Sequence, residues 1–203
     1  MAKSTPPPRA WQRMLSGRRL DILDPSPLDI EIEDIAHGLA RVARWNGQTT
    51  GALPFNVAQH CVIVLDICLQ IKPDWPPKWQ LAALLHDAPE YVIGDMISPF
   101  KAALGAKYKQ VEHGLERAIH IRFGLPPELP ETVEKVIKRA DRACAYFEAT
   151  QIAGFDVGEA EKLFPVPEKV APFTLKALSS ETSQTLYLER FQALLEQCPP
   201  PSP

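Results

Sequence analysis

The sequence predicts an all-α protein, a single-domain helical bundle, and three observations predict it. Apolar residues recur at the three- and four-residue spacing of helix faces in several separate segments. No segment alternates with the two-residue period of a half-buried strand, and no internal repeat is present. A chain of 203 residues with 45% apolar content can build one substantial core, so a second domain is not required.

Composition narrows the function classes. A net charge of −3 and a pI near 6.0 argue against a partner that is a nucleic-acid polymer or an anionic membrane surface. Any phosphate would have to meet a local cluster of bases or a metal. The first residues carry no signal-peptide apolar region, and no apolar run approaches the ~20 residues that span a bilayer, so a cytoplasmic protein is expected. Cys61, Cys68, Cys144 and Cys198 form no CxxC pair. They read as free thiols rather than a disulfide frame or a thiolate zinc site.

The proline-rich ends, 1–10 and 199–203, are expected to be disordered, leaving 11–198 as the folded domain. A short helix from Trp11 to Leu15 is expected next, followed by a rigid turn at Asp24-Pro25-Ser26-Pro27. Ile32, Ile35, Ala36, Leu39, Val42 and Ala43 share one helical face, and that helix should stop at Asn46-Gly47. Arg44 and Trp45 would then sit at its C-terminal end, where a solvated arginine and a capping aromatic explain them as well as a binding role does.

Asn56 is the expected N-cap of a helix running to Ile71 that is apolar nearly all round and carries His60 inside it. After the prolines at 73, 76 and 77, a core helix runs from Trp79 towards Asp87. Ser98 as N-cap and Pro99 at the first position begin another helix with the stripe Leu104, Tyr108, Val111, Leu115, Ala118 and Arg122, which puts His113 and His120 on the solvent side. Val133, Val136, Ile137, Ala140, Cys144 and Phe147 define the next, with Asp141 on its buried side; a salt bridge to Arg142 would account for Asp141 on its own. A proline-rich connection leads to a last amphipathic helix through Tyr187, Phe191 and Leu194.

The chemistry concentrates at Leu81-Ala82-Ala83-Leu84-Leu85-His86-Asp87-Ala88-Pro89-Glu90 and at Gly94-Asp95. Five apolar residues lead straight into an adjacent histidine and aspartate, and burying an unpaired carboxylate is costly unless a cation or hydrogen bonds answer it. Pro89 disfavours helix at Ala88, so the chain should break there and leave Asp87 or Ala88 at a helix mouth suited to phosphate. Glu90 follows closely enough to share the pocket as a proton-handling carboxylate. His60, His86, Asp87 and Asp141 together make two imidazoles and two carboxylates, a set that suits a divalent metal with positions left for water and substrate.

In this order the motifs Arg44-Trp45, Val57-Ala58-Gln59-His60, His86-Asp87-Ala88-Pro89-Glu90, Gly94-Asp95 and Ala140-Asp141-Arg142 resemble the HD-domain metal-dependent phosphohydrolases, in particular the branch of the bacterial 5′-deoxynucleotidases, over roughly residues 32–150. The resemblance implies His60, His86, Asp87 and Asp141 as ligands of one divalent cation (Co, Mn, Zn, Fe, Ni or Mg) and Glu90 as the acid/base. It also implies Arg44 and Lys101 near the phosphate, and Trp45 and Asp95 near the sugar. Hydrolysis of 2′-deoxyribonucleoside 5′-monophosphates is the expected activity. The alternatives are a deoxynucleoside triphosphate triphosphohydrolase and a catalytically idle nucleotide-binding module. A homodimer is compatible with the resemblance. Gln59 departs from the pattern, where relatives often carry glutamate.

Overall fold

The computed structural model describes residues 10–198, so the termini expected to be disordered lie, residue 10 apart, outside the described residues. Helices dominate it: α1 (Ile32–Leu39), α2 (Val57–Ile71), α3 (Pro77–Leu84), α4 (Glu90–Ile93), α5 (Ser98–Leu104), α6 (Ala106–Arg122), α7 (Glu131–Gln151), α8 (Val157–Leu163) and α9 (Ser180–Leu195). The fold is all-α, as the apolar spacing predicts.

The first element corrects the sequence reading. Instead of a helix at 11–15, β1 (Trp11–Arg13) pairs antiparallel with β2 (Arg19–Asp21), Gln12 facing Leu20. Ser16 at the turn donates both its N–H and its hydroxyl to the buried carboxylate of Asp34 on α1, and Arg19 stacks over the ring of Trp11 at 4.5 Å. These long-range bonds tie the hairpin to the domain, and nothing in five consecutive residues announces them.

Helix α2 is the axis of the domain. Asn56 caps it, its side chain accepting from the N–H of Gln59, and the helix packs against α3, α7 and α9. Its near-uniform apolarity follows from that enclosure, because a helix surrounded by others has no face to spare for water. Cys61 and Cys68 on it are buried free thiols, as is Cys144 on α7; Cys198 is half-buried and also free.

Two boundaries differ from expectation. Helix α1 ends at Leu39, because the chain beyond pairs with the entry to α2: Arg44 N–H donates to the carbonyl of Phe55 and Val57 N–H to that of Val42. Gly105, at φ +70°, splits the expected long helix into α5 and α6, a conformation glycine adopts without the steric cost other residues meet. Gly38 on α1 meets a different demand. A Cβ there would lie 2.8 Å from the Cβ of Tyr91, so only glycine lets α1 and α4 approach this closely.

The connection between α8 and α9 is an extended strap held by side chains from two helices. Gln59 of α2 donates to the carbonyl of Lys176 and accepts from Leu178 N–H, and Gln70 accepts from Ala171 N–H. From α7, Gln151 donates to the carbonyl of Phe173 and accepts from Leu175 N–H, while Arg139 donates to the carbonyl of Glu168.

Candidate active site and metal centre

Three chain segments bring the four sequence-predicted ligands to one point. His60 comes from the first turn of α2, His86 and Asp87 from the turn joining α3 to α4, and Asp141 from the middle of α7. His60 Nε2 lies 3.3 Å from Asp141 Oδ1 and 3.4 Å from Asp87 Oδ2, and His86 Nε2 lies 3.3 Å from that same Asp87 oxygen. His60, His86 and Asp141 each offer an atom within 4.8 Å of the others. The side-chain exposures, 0% for His60, 10% for His86, 23% for Asp87 and 39% for Asp141, show which side of the cluster is closed and which is open to an incoming molecule.

The donor set fits a divalent cation. Both rings bond through Nδ1, His60 to Glu148 Oε1 at 2.6 Å and His86 to the carbonyl of Ala83 at 2.9 Å. Both Nε2 atoms are buried and make no hydrogen bond. With Nδ1 carrying the proton, each Nε2 presents its lone pair to the shared point, the arrangement in which histidine binds metals. Burial opposes a positive charge on either ring, yet Glu148 beside His60 and Asp87 beside His86 hold both pKa values well above the ordinary histidine range. Asp87, by contrast, is lowered despite burial, chiefly by His86, and Asp141 is lowered by the adjacent His60 ring. The carboxylates therefore favour positive charge at this point, carried either by protons on the two Nε2 atoms or, in their place, by a cation bound to the Nε2 lone pairs.

A second grouping, His60 with Cys144 and Glu148, is fully buried. His60 Nδ1 is already committed to Glu148 there, and burial, then Glu148, pushes the Cys144 thiol up to about 12. A protonated thiol is a poor ligand, so this grouping reads as a support for the His60 ring.

Glu90 opens α4, its side chain almost fully buried. Its Oε1 is 3.4 Å from Lys101 Nζ and its Oε2 has no hydrogen-bond partner. Burial, then Asp87 and Asp95, push its carboxyl up to about 9 against Arg44 and Lys101. Lys101 also donates to Glu112 of α6 at 3.1 Å. A cavity of about 310 Å³ opens beside His86, Asp87 and Glu90, lined also by Lys109, Glu112, His113 and Glu116 of α6.

His113 is half-exposed at that rim, in line with its expected solvent-side position. His120 corrects the expectation: it is buried, its Nδ1 3.2 Å from the carbonyl of Pro127, because the proline-rich segment after α6 folds back across it.

The remaining expected residues form a second cluster against the first. Arg44 Nη1 donates to Asp95 Oδ2 at 3.0 Å, and its Nε and Nη2 reach Glu148 Oε2 at 3.3 and 3.2 Å. Trp45 donates its indole N–H to that same oxygen at 2.7 Å, and its ring lies against Phe155 and Phe164. Trp45 and Asn46 both adopt left-handed backbone, at φ 56° and 51°. For residues other than glycine that costs about 1–2 kcal/mol each.

Glu148 is the residue sequence reading missed. Its ordinary range gives no warning, yet it is fully buried and accepts from His60, Arg44, Trp45 and the Cys144 thiol. Burial alone would raise its carboxyl, but Arg44 and then His60 hold it at about 2. The signal available was spacing: Asp141, Cys144 and Glu148 stand at i, i+3 and i+7 on one face of α7.

An all-α fold whose core helices bring an adjacent His-Asp pair, a second histidine and a remote aspartate to one point belongs to the HD-type hydrolases. Comparison with known proteins agrees. Residues 35–156 match the family described as 5′-deoxynucleotidase YfbR-like. An uncharacterized protein of Rhodobacter capsulatus is 58% identical over 162 residues, covering 80% of this chain and 83% of its own. The uncharacterized protein YfdR of Escherichia coli K12 is 31% identical over 171 residues, covering 83% and 86%. The chain belongs to the 5′-deoxynucleotidase YfbR-like family. Among the described residues no helix is long and apolar enough to cross a membrane.

Proposed function

We propose that the protein is a metal-dependent phosphohydrolase that removes the phosphate from 2′-deoxyribonucleoside 5′-monophosphates. The observation that carries this reading is the pair of unpartnered, buried Nε2 atoms of His60 and His86 facing the carboxylates of Asp87 and Asp141. Those four residues would hold the cation. When bound, such a cation lowers the pKa of a water and polarises a phosphoryl oxygen.

The chain supplies the rest. Glu90 holds and moves a proton at Oε2, the oxygen that no protein group engages. Lys101, at 30% side-chain exposure beside Glu90, offers positive charge to the phosphoryl oxygens as charge develops on them. Arg44 has five N–H donors, of which the ion pairs with Asp95 and Glu148 use three, so two remain for a phosphate. Asp95 gives Arg44 one oxygen and keeps the other for a sugar 3′-hydroxyl.

Sugar selectivity rests on Trp45. With its N–H given to Glu148, the indole can offer a ribose only apolar surface. A 2′-hydroxyl against that surface would lose its water and find no partner, whereas a 2′-deoxy sugar loses nothing.

Incubating metal-loaded protein with matched ribo- and deoxyribonucleoside mono- and triphosphates, and identifying the products, tests the reading. Inorganic phosphate released from deoxymonophosphates supports it. Tripolyphosphate from deoxytriphosphates would transfer the assignment to a triphosphohydrolase, and turnover of neither class would leave an idle binding module.

A further inference from the structure

We infer that Glu148 is a positioning residue for both halves of the site, fixing the His60 ring for the cation and locking the left-handed turn that presents Arg44 and Trp45. The inference rests on the proposed metal and substrate roles of those residues and adds the link between them.

One carboxylate divides its two oxygens between the halves. Oε1 takes the Nδ1 of His60 at 2.6 Å, and the Cys144 thiol at 3.4 Å. Oε2 takes Trp45 Nε1 at 2.7 Å and Arg44 at 3.2 and 3.3 Å. The first bond sets the ring's tautomer and its rotation about the side chain, so it decides whether the Nε2 lone pair faces Asp87 and Asp141 or turns away. The second set holds two consecutive non-glycine residues in left-handed backbone, a conformation that persists only where surrounding bonds over-determine it. The backbone bond from Arg44 N–H to Phe55 fixes the turn's entrance, and Gln48 N–H to the carbonyl of Trp45 closes it. Between those two points the side-chain bonds to Glu148, the bond of Arg44 to Asp95 and the ring contacts of Trp45 with Phe155 and Phe164 remain.

Geometry favours this over a plain buried counter-ion for Arg44. A counter-ion needs one partner, and Asp95 already supplies a carboxylate to Arg44 at 3.0 Å. Glu148 instead accepts from three different side-chain nitrogens types, imidazole, indole and guanidinium, from two elements that have no other shared side-chain anchor on α7 among the bonds described. Three of its four side-chain partners, His60, Arg44 and Trp45, have a proposed role in binding; the fourth is the Cys144 thiol.

The test reads divalent-cation affinity and local backbone opening rather than turnover. In chelator-stripped Glu148→Gln, which keeps the volume and loses the charge, Co²⁺ affinity by calorimetric titration is expected to fall about 10–100-fold. Amide hydrogen exchange at residues 44–48 is expected to accelerate while exchange in α9 is unchanged. Unchanged affinity or unchanged exchange in the folded variant overturns the double role. Two further variants carry the test if Glu148→Gln does not fold. Glu148→Asp keeps the charge but shortens the reach, and should weaken Co²⁺ binding. Trp45→Phe removes the indole donor while keeping an aromatic ring against Phe155 and Phe164, and should speed exchange at 44–48 with Co²⁺ affinity retained. Equal affinity in the first or equal exchange in the second overturns the corresponding half. Wild-type protein that binds no divalent cation overturns the metal reading itself, whereas variants that bind as well as the wild type overturn this inference alone.

Discussion

Asp87 Oδ2 lies 3.3 Å from Nε2 of His86, its immediate neighbour in sequence. Adjacent side chains diverge on a helix and point to opposite faces of a strand, so two neighbours can aim at one point only where regular structure is interrupted. Pro89 supplies the interruption: α3 ends at Leu84, α4 starts at Glu90, and the pair occupies the turn between. Replacing Asp87 with asparagine keeps that turn and removes the charge. Metal content by mass spectrometry is expected to drop from about one ion per chain to a small fraction of that. Removing the ion from the wild type with a chelator should lower Tm, since a ligand at 100 times its Kd contributes about 2.7 kcal/mol. An unchanged metal content in the Asp87 variant would place the cation elsewhere.

Glu90 is expected to separate from the ligands by its phenotype. Glu90→Gln should reduce turnover by about 10²-fold or more while metal content stays at the wild-type level. Loss of the metal would make Glu90 a ligand instead and cancel its proton-handling role.

Trp45→Ala should narrow the gap in kcat/KM between matched deoxy- and ribonucleoside monophosphates, by about 1–3 kcal/mol of discrimination. Steady-state kinetics on both sugars reads this directly. Equal turnover of the two by the unsubstituted protein would remove the sugar hypothesis and leave the hydrolase assignment untouched.

Gly38→Ala tests the support behind the site. The added Cβ meets Tyr91 at 2.8 Å, so α4 must shift or α1 must bend, and urea unfolding should show a loss of about 1–3 kcal/mol. Because Glu90 begins α4, turnover should fall as well. A midpoint equal to the wild type would show that this helix contact yields at no cost.

The candidate ligands were legible in the sequence because their chemistry is local. A histidine and an aspartate after five apolar residues conflict with burial unless something answers them, and that conflict is visible without coordinates. The Asn56 cap was equally legible, since a short polar side chain before an apolar run meets an N–H three residues on. What escaped is what depends on distant partners. The β1–β2 hairpin is anchored through Asp34, α1 stops where Phe55 captures Arg44, and Glu148 has meaning only once His60, Arg44 and Trp45 surround it. Helix α8 escaped for another reason: seven residues between proline and glycine signals are too short to show a helical period. The departure at Gln59 also acquires a cause. Its amide both donates and accepts along the strap, and a glutamate could only accept.

That strap has an evolutionary consequence. Gln59, Gln70, Arg139 and Gln151 grip residues 168–178 by their peptide groups, never by their side chains. A peptide group is the same whatever residue carries it, proline's missing N–H excepted. Substitutions at the exposed positions of the strap therefore leave its path intact, whereas Phe173, against the Phe147 ring at 4.6 Å, and Leu175, buried beside Phe55 and Ile152, are also held by their own side chains. The constraint sits on the four gripping residues and these two apolar anchors, which should change far more slowly than the exposed positions between them.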